Sequence, residues 1–366
     1  MQSHDLSRFS RCSHSILLTL AVGLGLPFGA TAQTPSVLAA EAASGLEFRE
    51  IGPAVMGGRV ADLAVVEDDP RIFYVGLAAG GVWKTLNNGQ TWDPIFDDQP
   101  TASIGDVTLA PSNPNIVWVG TGEPQNRQSS PWGMGVFKSM DAGRTWAHMG
   151  LEDTKHISRI QVHHRNPDIA YVGAVGHLWG PNEDRGVFRT TDGGDTWEKV
   201  LYIDENTGII DLVMDHNDPE TLFAATYQRQ RTGFGFASGG GGSGIWRTTD
   251  GGDNWTRLET GLPEGELGRI GLDVYRRDGN LVYAVVQAHE GSGVYRSSDR
   301  GETWEMMSDR NPRPMYFSLI RIDPNNPERI YLGGVQFSAS DDGGRTWWEG
   351  NATENIHSDH HAFWID

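Results

Sequence analysis

Apolar residues along this chain fall in short runs, at 72–78, 116–120, 169–175, 222–226, 281–286 and 330–332. The repeat region nowhere shows the 3.6-residue spacing of an amphipathic helix, so each run reads as a buried strand. Asp-Pro or Asn-Pro turns introduce most of them: Asp69-Pro70, Asn113-Pro114, Asn166-Pro167, Asp218-Pro219 and Asn326-Pro327. A second strand follows, built as Gly, aliphatic, aromatic, basic, Thr/Ser. Examples are Gly81-Val82-Trp83-Lys84-Thr85, Gly186-Val187-Phe188-Arg189-Thr190 and Gly293-Val294-Tyr295-Arg296-Ser297. A unit of four short strands and three turns, recurring about every fifty residues, predicts an all-β chain folded as a β-propeller.

Each unit carries the motif Ser/Thr-x-Asp-x-Gly-x-Thr-Trp. It occurs six times, at 85–92 (Asn87 in the Asp place), 139–146, 190–197, 248–255 (Asn254 for Thr), 297–304 and 340–347. The Asp side chain can accept N–H groups of its own turn. The Gly two places on supplies positive φ, and Thr starts the next strand. The closing Trp is expected to be buried, where losing an aromatic costs about 3–5 kcal/mol. Acidic, glycine-rich turns such as Asp250-Gly251-Gly252-Asp253 lack the regular oxygen ligands and distal bidentate Glu of a calcium hand. They read as structural.

The ends change the picture. Arg8 and Arg11 precede an apolar run at 16–28 and then Ala30-Thr31-Ala32, so residues 1–32 read as a secretory leader. The run is too short for a membrane span, and the expected location is secreted or periplasmic. The single cysteine, Cys12, lies in that leader, which leaves the mature chain without disulfides. Residues 33–45 read as a linker and 46–366 as the propeller. The net charge of −19 comes with no basic block, which argues against nucleic-acid or anionic-membrane partners. Residues 356–366 read as the innermost strand of a seventh blade, and 46–52 as an outermost strand that would close the ring. The expectation is a seven-bladed propeller in a longer protein, cut within its last blade, roughly thirty residues before closure.

The repeated motif is similar to the Asp-box, or bacterial neuraminidase repeat. With Gly120-Thr121-Gly122-Glu123-Pro124, Gly176-His177-Leu178-Trp179-Gly180-Pro181 and the terminal His-x-Asp-x-His, residues 46–366 resemble secreted bacterial proteins termed sortilin N-terminal-domain or glycosyl-hydrolase-repeat proteins. That resemblance implies a propeller with an extracytoplasmic role. Sialidases with this repeat carry an early Arg-Ile-Pro segment, which has no match here. Two-propeller xyloglucan-cleaving glycosidases place a catalytic Asp two residues before a Gly-Gly pair in the first blade. The matching position here is Ala78, ahead of Gly80-Gly81, and it cannot carry a proton. Sortilin-type receptors bind peptides in a wide tunnel but need a cysteine-rich region.

A site is expected on the face opposite the motif turns, where longer and more varied loops converge. They include 121–132, 176–185, 227–243 and 287–292 between strands, and 152–158, 204–211, 264–269 and 351–359 between blades. The candidate ligand-binding residues are Glu123, Asn126, Arg127, His177, Trp179, Arg229, Arg231 and His289, a composition suited to a glycan or peptide. Solvated rim charges are the plainer reading. The glycine run at 239–242 reads as a flexible lid. His357, Asp359 and His361 would share one face of a strand and form a candidate metal set. Hydrogen bonding into the channel is the alternative. No Ser-His-Asp set, phosphate loop or cysteine site is present, and no cofactor is expected. The functional expectation is a secreted propeller that binds a polymer or peptide. Its rival is a glycoside hydrolase drawing a carboxylate pair from Glu123, Glu183, Asp184 and Asp211, or sharing one with a region beyond residue 366.

Overall fold

A computed structural model of the protein describes residues 58–349 and 358–366, all within one compact unit, Gly52–Asp366. It is a propeller of six antiparallel sheets that follow one another in sequence. The innermost strands are Val60–Val65, Ile104–Ala110, Ile157–Val162, Thr207–Met214, Leu267–Val274 and Leu319–Asp323. Each predicted apolar run is the second strand of its blade. The fourth blade carries an extra strand, Phe236–Ser238, paired with a long second strand, Leu222–Arg231. One short 3-10 turn, Glu152–Thr154, is the only helix among the described residues.

In most blades the inner strands are buried and the outermost strands exposed. The inner strand Thr207–Met214 is buried at every position, whereas the outer strands Ala147–His148 and Trp348–Glu349 are exposed. The core therefore lies between neighbouring blades. Glycines on second strands let the next blade close in: a Cβ on Gly76 would lie 2.7 Å from Ile104, and one on Gly120 2.4 Å from Ile157.

Two polar devices repeat from blade to blade. Inner-strand carboxylates accept backbone N–H groups of the following blade. Asp62 takes Val107 N at 3.3 Å, Asp106 takes Ile160 N at 3.0 Å, Asp211 takes Leu272 N at 3.0 Å and Asp273 takes Ile322 N at 2.7 Å. The basic residue of the third strand donates to a carbonyl of the next motif turn. Lys84 reaches Ala142 O at 2.9 Å, Lys138 reaches Gly193 O at 2.8 Å, Arg189 reaches Gly251 O at 2.9 Å and Arg247 reaches Arg300 O at 2.7 Å. That basic residue is thus a clamp between blades.

The motif turns have the expected chemistry. Asp141 accepts Thr145 N at 2.8 Å and Thr145 Oγ1 at 2.7 Å, while Gly143 N donates to Ser139 Oγ at 2.8 Å. Gly143 has φ 89°, and the residue before it, Ala142, is also left-handed at 62°. The expectation of buried motif tryptophans needs correction. Trp304 is buried, Trp92 is exposed, and the other four are half-buried. Some use the ring N–H at the blade seam, Trp146 donating to Ile95 O at 2.6 Å and Trp197 to Met149 O at 2.7 Å, whereas Nε1 of Trp255 and of Trp304 has no partner among the described residues.

Three further expectations are revised or fall outside the described residues. Residues 358–366 form no strand. They lie against the sixth blade through Asp359 N to Val335 O and His360 N to Gly334 O, and Asp359 has φ 80°, which breaks an extended run. The glycine run is pinned: Gly240 N donates to Leu267 O at 3.1 Å and Gly242 N to Gln228 Oε1 at 3.0 Å. Neighbouring carbonyl and amide groups hold the backbone that glycine alone would leave free. The leader, the linker and the strand expected at 46–52 lie outside the described residues.

Candidate functional site

Three of the second-to-third-strand loops do meet. Asn126, buried on the second blade's loop, donates to Tyr227 Oη at 2.9 Å and Met315 O at 2.6 Å, and accepts Arg229 Nη1 at 2.7 Å. Arg229 Nη1 also donates to Pro124 O at 2.8 Å, and Arg231 N donates to Leu178 O at 3.2 Å. Trp179 and Arg231 pair as an isolated parallel bridge. Loops from the second, third and fourth blades are thereby stitched to the connection between the fifth and sixth.

Above this junction opens a cavity of about 700 Å³, lined among the described residues by Arg59, Arg127, Arg231 and Arg313 with Asn126, Tyr316 and a single carboxylate, Asp359. Arg231 lies over the Phe236 ring at 4.5 Å and Arg313 over Tyr316 at 4.7 Å. Aromatic faces thus hold two guanidinium planes. Arg59 is ion-paired with Glu123. Arg127, Arg231 and Arg313 form no ion pair among the described residues, although most other arginines of the chain do.

Beneath the mouth, the arginines are buried. Burial, reinforced by Arg185, Arg269 and Arg231, pulls Arg229 down to about 9, and its Nε and Nη2 have no hydrogen-bond partner among the described residues. Burial also lowers Arg185 to about 10, and Val175 O and His177 O take its Nη protons at 2.8 Å each. Arg269 lines a channel cavity of about 30 Å³ together with Arg159, Asp211 and His361. That is room for a water or two, not for a sugar ring. At the other end of the channel a cavity of about 270 Å³ mixes Glu67 and Asp273 with Arg159, Arg276 and Arg321, so charges of both signs line it.

The expected site residues therefore divide. Arg127, Arg231 and Asn126 line the mouth. Glu123 is fully buried; burial raises its carboxyl, against the pull of Arg59. Arg229 is a buried support. Trp179 is exposed beside Arg231, and His177 Nε2 contacts Asp153 O at 3.2 Å. His289 is exposed and is not among the residues lining the mouth. Asp211, expected in a loop, lies on an inner strand that begins at Thr207. Glu183 and Asp184 are exposed on the third blade's loop, away from the lining residues.

Only two members of the candidate metal set are described. His357 lies outside the described residues. Asp359 lines the mouth, whereas His361 stacks on Phe317 at 4.9 Å, and burial followed by Arg269 and Arg59 lowers it to about 3. No group of three potential ligands is placed to hold a metal ion among the described residues. Sequence reasoning missed Arg59, Arg313 and Tyr316. Arg313 and Tyr316 sit on the longest described blade-to-blade connection, between Ser308 and Leu319, and that length was the available signal.

Comparison with known proteins supports this fold. Residues 134–293 match the family model described as Sortilin, neurotensin receptor 3. A xyloglucanase from a Paenibacillus species is 24% identical over 287 residues, 72% of this chain and 27% of the relative. The crystal structure of the GH74 xyloglucanase from Xanthomonas campestris superposes with a TM-score of 0.60 at 17% identity, covering 81% of this chain and 47% of that one. YCF48 bound to D1 peptide superposes at 0.56 with 16% identity, covering 86% and 90%. The likeness is one of fold. The chain spans about a quarter of the length of the curated relatives it matches. No helix among the described residues is long and apolar enough to cross a membrane.

Proposed function

We propose that the protein is a secreted Asp-box propeller whose loop face binds a segment of a polymer, a glycan or a peptide. The observation that carries this reading is the mouth of about 700 Å³, within the usual range of ligand pockets, with four arginines against one carboxylate. Its walls come from several blades and are rigidly cross-bonded, as a preorganised binding site requires. The relatives give the reading its ligand classes. Xyloglucanases act on a glycan by name, and YCF48 is seen with a peptide. Motif-turn hydrogen bonding supports the Asp-box assignment, and the leader pattern supports export. The seventh blade belongs to the same reading and rests on the repeat.

The glycosidase reading has less support. A hydrolase needs two carboxyl groups about 5–5.5 Å or 6.5–9.5 Å apart around the scissile bond, and among the described residues the mouth is lined by one. Asp62 and Asp106 do sit together, but Asp106 is fully buried in the channel, where the cavity is too small for sugar. Ala78 is buried as well.

Titration of the full chain with xyloglucan oligosaccharides, acidic oligosaccharides and peptides, while scoring product release, tests this reading. Binding without turnover, weakened by Trp179→Ala, is the expected result. Product release abolished by Glu123→Gln or Asp211→Asn would replace it with the hydrolase. Amino-terminal sequencing of the exported chain, expected to begin after Ala32, tests the leader.

A further inference from the structure

We propose that the mouth selects an acidic glycan, a polymer of uronate-type sugars whose carboxylates are held by Arg127, Arg231 and Arg313. This rests on the loop-face binding reading and names its ligand class. The sign of the charge comes first. In a chain of net charge −19, three guanidinium groups without ion-pair partners among the described residues converge on one cavity. Several guanidinium groups elsewhere on the protein are instead neutralised by Asp or Glu at 2.5–2.9 Å, as Arg189, Arg296 and Arg310 are. The planar guanidinium fork matches a carboxylate in two parallel hydrogen bonds. Phe236 and Tyr316 support the Arg231 and Arg313 guanidiniums at 4.5 and 4.7 Å, and Arg231 Nη2 also donates to Asn126 O at 3.3 Å, which holds that group at the mouth.

The form of the polymer comes second. Besides the arginines, Asn126, Gln128, Ser129 and Tyr316 line the mouth, and among the described residues no aliphatic side chain does. A peptide would find nowhere to bury an apolar side chain. A sugar ring offers hydroxyls to those amide and hydroxyl groups, and the exposed indole of Trp179 beside Arg231 provides a stacking face. The acidity of the rest of the surface repels polyanions that come within a Debye length of it, about 8 Å at physiological salt. Only ligand seated in the mouth is then retained, which makes the attraction local rather than general.

The experiment is calorimetric titration of the full chain with four probes: oligogalacturonate, the same oligomer methyl-esterified, xyloglucan oligosaccharide and poly-L-glutamate. Oligogalacturonate is expected to bind at least tenfold more tightly than its neutral ester. Arg127→Met and Arg313→Met, both at side chains with no ion-pair partner, are each expected to weaken it about tenfold without lowering the thermal midpoint. Equal binding of oligogalacturonate and its ester, or of xyloglucan, would overturn acid selection while leaving loop-face binding intact. Binding of poly-L-glutamate in preference to the uronate would overturn the glycan in favour of an acidic peptide. Silence of all four probes would overturn both this inference and the reading it rests on.

Discussion

Arg159 offers the sharpest test of how the ring is held. Its guanidinium lies in the channel, bonded through Nη1 to Asp106 at 3.1 Å and through Nε to Asp211 at 3.2 Å, with Asp62 at 3.5 Å. Burial opposes its charge, but Asp211, Asp62 and Asp106 together raise it above the ordinary arginine value. Burial, and then Asp62, push Asp106 well above the usual carboxylate range even with the cation present. Arg159→Met removes the cation and leaves the three carboxylates facing one another. Breaking a buried pair costs about 3–5 kcal/mol. A second route to the size gives the same answer. If one more carboxyl must take a proton to fold, and its ordinary pKa is about 4, then at pH 7 the cost is about 4 kcal/mol, at 1.36 kcal/mol per unit.

That route also fixes the pH dependence. A carboxyl whose folded pKa is raised binds a proton on folding at every pH between its unfolded and folded values. Stability therefore falls as pH rises through that window. At pH 5 the same cost is only about 1.4 kcal/mol. Equilibrium urea unfolding of wild type and Arg159→Met at pH 5 and pH 7 is the assay. The penalty should shrink by about 2–3 kcal/mol at the lower pH. Adding Asp106→Asn, which keeps an acceptor for Ile160 N, should recover much of the loss at pH 7. A penalty below about 1 kcal/mol at pH 7, or one equal at both pH values, would refute the reasoning.

Lys138→Met should cost about 2 kcal/mol in urea unfolding, because it loses a charged hydrogen bond to Gly193 O and a cation held 4.6 Å over Trp118; an unchanged midpoint would mean that the clamp is inert. Ala142→Gly should stabilise by about 0.5 kcal/mol, since relief of left-handed strain exceeds the entropy that glycine loses on folding; Gly143→Ala should destabilise, its Cβ falling 2.5 Å from Ile95. Hydrogen bonds from Thr145, Thr196, Asn254 and Thr346 hold Asp141, Asp192, Asp250 and Asp342 down at about 2. Their contribution is therefore present above the unfolded carboxylate pKa near 4 and lost as pH falls toward 2. Thermal midpoints of Asp141→Asn and wild type should converge between those values; parallel curves would show that the turn carboxylate does not titrate with folding. Asn87 already forms such a turn without charge, accepting Thr91 N at 2.9 Å.

Local pattern was enough to place the blades. Apolar runs, Pro-marked turns and the Asp-x-Gly pair act within a few residues of one another, so the strands and motif turns were legible from the residues alone. The candidate site was legible in part. Arg127 and Asn126 lie on a loop whose length marked it and Arg231 ends the long second strand of the fourth blade, whereas Arg59 and Arg313 come from opposite ends of the described chain and share a wall only because the blades circle. The basic residue of the third strand was visible as a repeat, but in the first four blades its partner is a carbonyl on the next blade. No spacing within one blade encodes that contact. The motif tryptophans show the same limit. Their aromatic character signals burial, yet a seam between two blades covers one side of the indole and leaves the other to water, as Trp92 and Trp304 illustrate at the two extremes. Short-range chemistry determined the elements; the curvature of the ring decided which side chains meet, because contacts between blades depend on geometry that accumulates over the whole circuit.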